Sequence, residues 1–204
     1  EALARSLVSA AVTVERRIYG DVWLRDTGPL VVMDATGNRI ARRFGFNGWG
    51  GKYLMAGDQE IGAEIARDAG LPVESCDWIL EGGAIDNDGT GLVVTTEQVL
   101  LNPNRNPRLS REEIEMRLAR DLGFDRVLWL GDGLLNDHTD GHVDNLARFV
   151  APGVLALPWR AGRTIPTPGS MPMRARGPRH SGWKCGTFPH PAWSGMRMRN
   201  RPAT

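Results

Sequence analysis

The sequence predicts an α/β fold built as a propeller-like array of repeated units. Three observations carry that expectation. Helical segments alternate with short apolar hairpins along the first 158 residues. Each hairpin follows a short polar corner: WLRDTGP, LEGGA or TDGHVDN. The markers Asp26, Glu81 and His142 in these corners stand 55 and 61 residues apart. That spacing fits one helix–strand–corner–hairpin unit, and repeated units of this kind bring their equivalent corners together on an axis.

The elements follow in order. EALARSLVSA opens the chain as a helix, and because Glu1 falls inside it, the true N-terminus is expected to be missing. LVVMDATGNRIARRF (30–44) reads as a hairpin, two β-rich runs around a Gly-containing turn. DQEIGAEIARDAG (58–70) reads as a helix with Asp58 as N-cap and Gly70 as its stop. AIDNDGTGLVVTT (84–96) is a second hairpin. Its DNDGTG resembles a calcium loop but lacks the glutamate such a loop needs at its twelfth position, so a tight turn is expected. SREEIEMRLARDLG (110–123) is a helix with a capping box, Ser110 with Glu113. Ile114, Leu118 and Leu122 form its apolar stripe, and Gly123 ends it. NLARFVAPGVLALP (145–158) is the third hairpin.

Composition divides the chain in two. Residues 1–158 hold 16 Lys+Arg and all 24 Asp+Glu, a net charge of −8; residues 159–204 hold 9 Lys+Arg and no acid, a net charge of +9. Leu and Val are absent after Leu157, while seven of the 13 prolines lie in that tail. The tail therefore has little to bury and is expected not to pack as the body does. No apolar run approaches the ~20 residues of a membrane span, so no membrane partner is expected. Two cysteines, Cys76 and Cys185, are too few for a disulfide framework and point to a reducing, cytoplasmic setting.

The polar corners carry the chemistry. In DHTDGHVDN, His138, Asp140, His142 and Asp144 fall at every second position, which on a strand puts them on one face. Asp26, Glu81, His142 and Asp144 make three carboxylates and an imidazole with no lysine, a set suited to a cation. A guanidinium presents five donors in a fixed fork that carboxylates answer bidentately. Asp26 and Asp144 are the natural clamps, and His142 can serve as general acid/base. Glu81 could hold the imidazole in orientation and raise its pKa. Trp23 could give the cation an aromatic face. Singly, each piece has an ordinary structural reading: a surface salt bridge, a glycine turn, or (in FNGWGG, 46–51) a turn covered by Trp49.

Together, VWLRDTGP, FNGWGGKY, LEGGAID, GTGLVVTTEQVLLNPNRNP and DGHVDNLARF resemble the agmatine deiminase and bacterial-type peptidylarginine deiminase family, within the guanidine-modifying superfamily. The resemblance covers about residues 12–158, and FNGWGGK favours the agmatine side. It implies a pentein-like, five-bladed pseudo-symmetric α/β propeller, here incomplete. It implies hydrolysis of agmatine to N-carbamoylputrescine and ammonia on the route to putrescine, with neither metal nor cofactor. It further implies that Asp26 and Asp144 grip the guanidinium, His142 is the acid/base, Glu81 supports His142, and Trp23 lies along the substrate. Residues 1–158 would be a partial deiminase domain and 159–204 a basic Arg/Pro-rich tail resembling a shifted reading frame. The family nucleophile is a cysteine in a "GGGN-hydrophobic-HC" motif, which this sequence lacks, since Cys185 sits in SGWKCGTF. The expectation is therefore a chain that binds guanidinium but is inactive. A homo-oligomer is left open.

Two rivals stand beside this reading. A metal-dependent hydrolase would take ligands from His138, Asp140, His142 and Asp144. A nucleic-acid-binding protein would use the tail, where Trp159, Trp183 and Trp193 interleave with basic residues. The tail's composition is equally that of an unselected frame, so no nucleic acid is expected as a partner.

Overall fold

The computed structural model describes residues 2–159 and the strand 182–187. Its apolar hairpins form three sheets of three strands each among these residues. In the first, β1 (Leu30–Met33) pairs antiparallel with β2 (Arg39–Gly45), and β2 pairs parallel with β3 (Val73–Ile79). In the second, β4 (Asp86–Asn87) pairs antiparallel with β5 (Leu92–Thr96), and β5 pairs parallel with β6 (Arg126–Leu130). A parallel third strand needs a crossover. Helices Ile61–Asp68 and Arg111–Leu122 supply the two crossovers.

The third sheet starts the same way, with β7 (Arg148–Ala151) antiparallel to β8 (Val154–Trp159). Its third strand is β9 (Gly182–Thr187), which runs antiparallel to β8, with Cys185 opposite Ala156. The third unit thus departs from the first two at the strand drawn from the basic tail. The tail was expected not to pack with the body, and at this one strand its backbone does pair. The unpaired N–H and C=O groups along the edge of β8 accept any extended segment that reaches them. The rest of the tail lies outside the described residues.

Several sequence expectations meet their structure directly. Helix Arg111–Leu122 carries the capping box in full, with Ser110 and Glu113 satisfying each other's backbone N–H groups, and it ends at left-handed Gly123. Ile114 and Leu118 are fully buried with Trp78, Leu80, Val93, Val99 and Leu100 in the larger core. Val94, Leu130, Val143 and Leu155 form a second core on the other side of β5 and β6. The DNDGTG turn closes on Asp88, whose Oδ1 accepts from the Thr90 backbone at 2.8 Å.

Two expectations need correction. The first helix runs only over Ala2–Leu7 and buries nothing. Asp58 is not the N-cap of Ile61–Asp68; that position is Glu60. Asp58 is buried, and its Oδ1 accepts from the backbone of Gly20 at 2.7 Å and Asp21 at 3.2 Å. The competing donors come from a segment 37 residues earlier, which a local capping rule cannot see.

Candidate active site

Each polar corner folds as one helical turn just ahead of its hairpin: Leu24–Thr27 before β1, Gly82–Ala84 before β4, and Val143–Asn145 before β7. The first turn touches the second and the second touches the third. Strand β5 fixes two of them. Thr95 Oγ1 donates to Ala84 O at 2.8 Å and Thr96 Oγ1 to Gly141 O at 2.6 Å. The paired threonines at the end of LVVTT thus present one hydroxyl to each neighbouring corner.

Such close approach requires glycine at the second turn. A Cβ on Gly82 would sit 2.0 Å from Arg25 O. A Cβ on Gly83 would sit 2.6 Å from Asp26 Oδ1, 2.6 Å from His142 Nδ1 and 2.7 Å from Asp144 Oδ2. Three of the four expected corner residues therefore surround one point in space. They border a cavity of about 380 Å³ whose walls include Trp23, Trp49 and Tyr53.

Asp26 is held at both oxygens. Oδ1 accepts from Gly83 N at 2.8 Å and Oδ2 from Trp49 Nε1 at 2.9 Å. A carboxylate so fixed keeps lone pairs for a cation. Trp49 is buried, with the left-handed backbone (φ 54°) of the FNGWGG turn. Its indole packs edge-on against Phe46, and Tyr53 packs edge-on beside it. The expected glycine turn is therefore the holder of Asp26. His142 is buried, with Nδ1 3.7 Å from Asp26 Oδ1, outside hydrogen-bond range. Asp144 has no hydrogen-bond partner among the described residues. Partial removal from water pushes its carboxyl above the usual range; His142 pulls it down, and Asp26 pushes it up again. Trp23 stands 61% exposed at the rim, where it could cover an occupant.

Glu81 reaches a different partner from the one expected. It is fully buried, and its Oε1 accepts from Arg105 Nε at 2.8 Å. No hydrogen bond joins it to His142, although Glu81 Oε2 and His142 Nε2 are both buried without a partner. A guanidinium offers a buried carboxylate more donors and a full charge, so it takes the carboxylate first. The same Arg105 donates to Asp140 and, at 2.9 Å, to Thr139 O. Sequence reasoning assigned Arg105 no role. Its only signal was a lone charge inside NPNRNP, among residues that favour turns.

The strand expected over His138–Asp144 does not form. Asn136, Asp140 and Gly141 all have positive φ, at 62°, 63° and 90°, which no strand accommodates. The alternating polar residues instead bond locally and across the rim. Asp137 Oδ1 accepts from Thr139 N at 2.9 Å, Tyr53 OH meets His138 Nδ1 at 2.8 Å, and Asp140 pairs with Arg105 and Lys52. Of the four side chains of the metal reading, His138 and Asp140 thus have partners of their own in Tyr53, Arg105 and Lys52. Among the described residues no three His, Cys, Asp or Glu side chains gather as a ligand set. Cys76 lies in β3, packed against the larger core, and burial first, then Asp121, pushes its thiol up to about 11.

Comparison with known proteins finds relatives in both sequence and structure. Agmatine deiminase of Stutzerimonas stutzeri is 48% identical over 146 residues, covering 68% of this chain and 39% of that protein. The agmatine deiminase of Pseudomonas fluorescens is 44% identical over 152 residues, with coverages of 68% and 39%. The chain therefore spans well under half the length of these relatives. An Enterococcus faecalis agmatine deiminase, solved while catalysing its reaction, superposes with a TM-score of 0.70 at 38% identity, covering 74% of this chain and 43% of that one. A substrate-bound agmatine deiminase of C. jejuni gives 0.63 at 34% identity, covering 67% and 41%. A family model described as Porphyromonas-type peptidyl-arginine deiminase matches residues 1–170, and the chain belongs to that family.

Proposed function

We propose that this chain carries the guanidinium-binding part of an agmatine deiminase-type hydrolase, a C–N hydrolase that makes N-carbamoylputrescine and ammonia. The observation that carries the reading is the convergence of Asp26, His142 and Asp144 within 2.7 Å of one point at Gly83. Two carboxylates pair with the guanidinium as charge-assisted forks. The indole of Trp23 lies over the aliphatic chain of the substrate. In the complete protein the three sheets extend to a five-bladed propeller.

The chemistry follows from that pairing. A cysteine thiolate attacks the guanidinium carbon to form a C–S bond. His142, as imidazolium, gives its proton to the departing nitrogen, the C–N bond breaks and ammonia leaves. Neutral His142 then takes a proton from water as the oxygen attacks the same carbon, and the C–S bond breaks to release the ureido product. The sequence lacks the family's nucleophile motif, and a thiol raised like that of Cys76 is a poor nucleophile. The 204-residue chain therefore binds agmatine and does not turn it over.

The test is calorimetric binding of agmatine together with ammonia release. The expected result is measurable binding, weakened at least about tenfold by Asp26→Asn through loss of a charge-assisted pair, with no ammonia formed. Ammonia release abolished by Cys185→Ser would show that the tail supplies a nucleophile. Binding indifferent to Asp26→Asn would remove the guanidinium reading.

A further inference from the structure

We propose that Lys52 and Tyr53 are positioning residues, which clip the turn that holds Asp26 onto the loop of the third corner and so aim the Asp26 carboxylate. The inference rests on the reading of Asp26 as a guanidinium clamp. Four consecutive residues of that turn have positive φ: Gly48 at 66°, Trp49 at 54°, Gly50 at 80° and Gly51 at 84°. For a bulky residue such as Trp49 this backbone is strained, and it persists only where surrounding contacts over-determine it. Some of those contacts are local: Asn47 Oδ1 accepts from Gly50 N at 2.9 Å, and Gly48 O accepts from Tyr53 N at 3.0 Å. The others come from far along the chain. Asn47 Nδ2 donates to Asn104 O at 2.8 Å, and a Cβ on Gly50 would sit 2.3 Å from Asn104 Nδ2. At the exit of the turn, Lys52 Nζ donates to His138 O at 3.0 Å and pairs with Asp140. Tyr53 OH meets His138 Nδ1 at 2.8 Å. Asn104 Nδ2 also donates to Asp140 Oδ2 at 2.9 Å, so both anchors of the turn end on one carboxylate.

The clip reaches the site by direct contact. The Tyr53 ring stands edge-on to the Trp49 indole, their centroids 6.0 Å apart. Trp49 Nε1 donates to Asp26 Oδ2 at 2.9 Å. With the exit of the turn unclipped, the Tyr53 ring is free to leave the indole, and the backbone of Trp49 is free to relax from its strained conformation. Asp26 would keep its bond from Gly83 N and lose the donor at its other oxygen. A carboxylate held at one oxygen turns about that bond, so its lone pairs no longer converge on one place. The anchors lie near the surface, with Tyr53 38% exposed, and bonds so placed add little to global stability. Their loss therefore separates from unfolding: it moves the turn while both cores stay packed.

The experiment follows hydrogen exchange at two indole N–H groups by NMR in the 204-residue chain. One is Trp49, its signal identified by Trp49→Phe. The other is Trp78, whose Nε1 donates to Asp121 Oδ2 at 2.8 Å and whose ring belongs to the larger core. Tyr53→Phe and Lys52→Met are each expected to speed exchange at Trp49 and weaken agmatine binding by about tenfold, the middle of the range for residues joined in one hydrogen-bonded network. Exchange at Trp78 should not change. Lys52→Arg keeps a cation opposite Asp140 and should stay close to the unmodified chain. His138→Ala removes the partner of Tyr53 from the opposite loop and should act as Tyr53→Phe does, with no further effect when the two are combined. Unchanged exchange at Trp49 in Tyr53→Phe and His138→Ala overturns the proposal. Protection lost at both indoles together also overturns it, since the two residues would then support the fold as a whole. Agmatine binding of the unmodified chain is measured alongside: its absence removes the functional reading, while the indole signals decide whether the clip positions Trp49.

Discussion

At Gly83 the missing Cβ decides the site. An alanine there would place a carbon 2.6–2.7 Å from three polar atoms, well inside contact distance. Gly83→Ala is expected to cost about 1–3 kcal/mol as overpacking, felt mainly in agmatine binding because the side chains that must move are the binding groups. Calorimetry on the variant checks this, and wild-type affinity would contradict it. Asp144 makes a second prediction at the same scale. Its carboxyl is held above the ordinary range, so the folded protein binds a proton there more readily than the unfolded chain. Stability therefore falls as pH rises from the ordinary carboxyl value through the raised one. Asp144→Asn should be free of this fall, and thermal unfolding of both proteins across that window measures the difference. Agmatine binding should run the other way, tightening as Asp144 ionises. The sequence showed Asp26, His142 and Asp144 as candidates because their residue types suit a cation. It did not show Trp49 holding Asp26 or Arg105 holding Glu81, because those bonds span 23 and 24 residues and no local pattern encodes them.

Elements were legible where their determinants are local. The capping box and glycine stop of helix Arg111–Leu122 lie within fourteen consecutive residues and formed as read. All three hairpins appeared around their Gly-containing turns. Segment 137–145 was misread because its polar alternation copies a strand, while Asn136, Asp140 and Gly141 adopt left-handed backbone. A residue's type suggests positive φ without requiring it. The buried threonines of β5 test how elements hold the corners. Thr96→Val keeps shape but leaves Gly141 O without that 2.6 Å donor, and should cost about 1–3 kcal/mol in unfolding free energy. Denaturant unfolding measures it. A neutral substitution would mean that the third corner is placed by packing alone.

Across the molecule, one unit recurs: a polar turn, an antiparallel hairpin and a third strand. The first two units take that third strand in parallel through a helix, and the third takes it antiparallel from the tail. The repeat spacing alone announced the first property, since equivalent corners 55 and 61 residues apart do come together. The antiparallel strand had no signal, because a segment lacking Leu, Val and acids offers no pattern to read. The account's central claim is that this convergence forms a guanidinium site. Its most direct measurement is a crystal structure of the 204-residue chain with agmatine. The account predicts the guanidinium between the carboxylates of Asp26 and Asp144, with His142 Nδ1 beside its carbon and the aliphatic chain leaving past Trp23. Agmatine with its amine end inward, or seated outside this cavity, would contradict it.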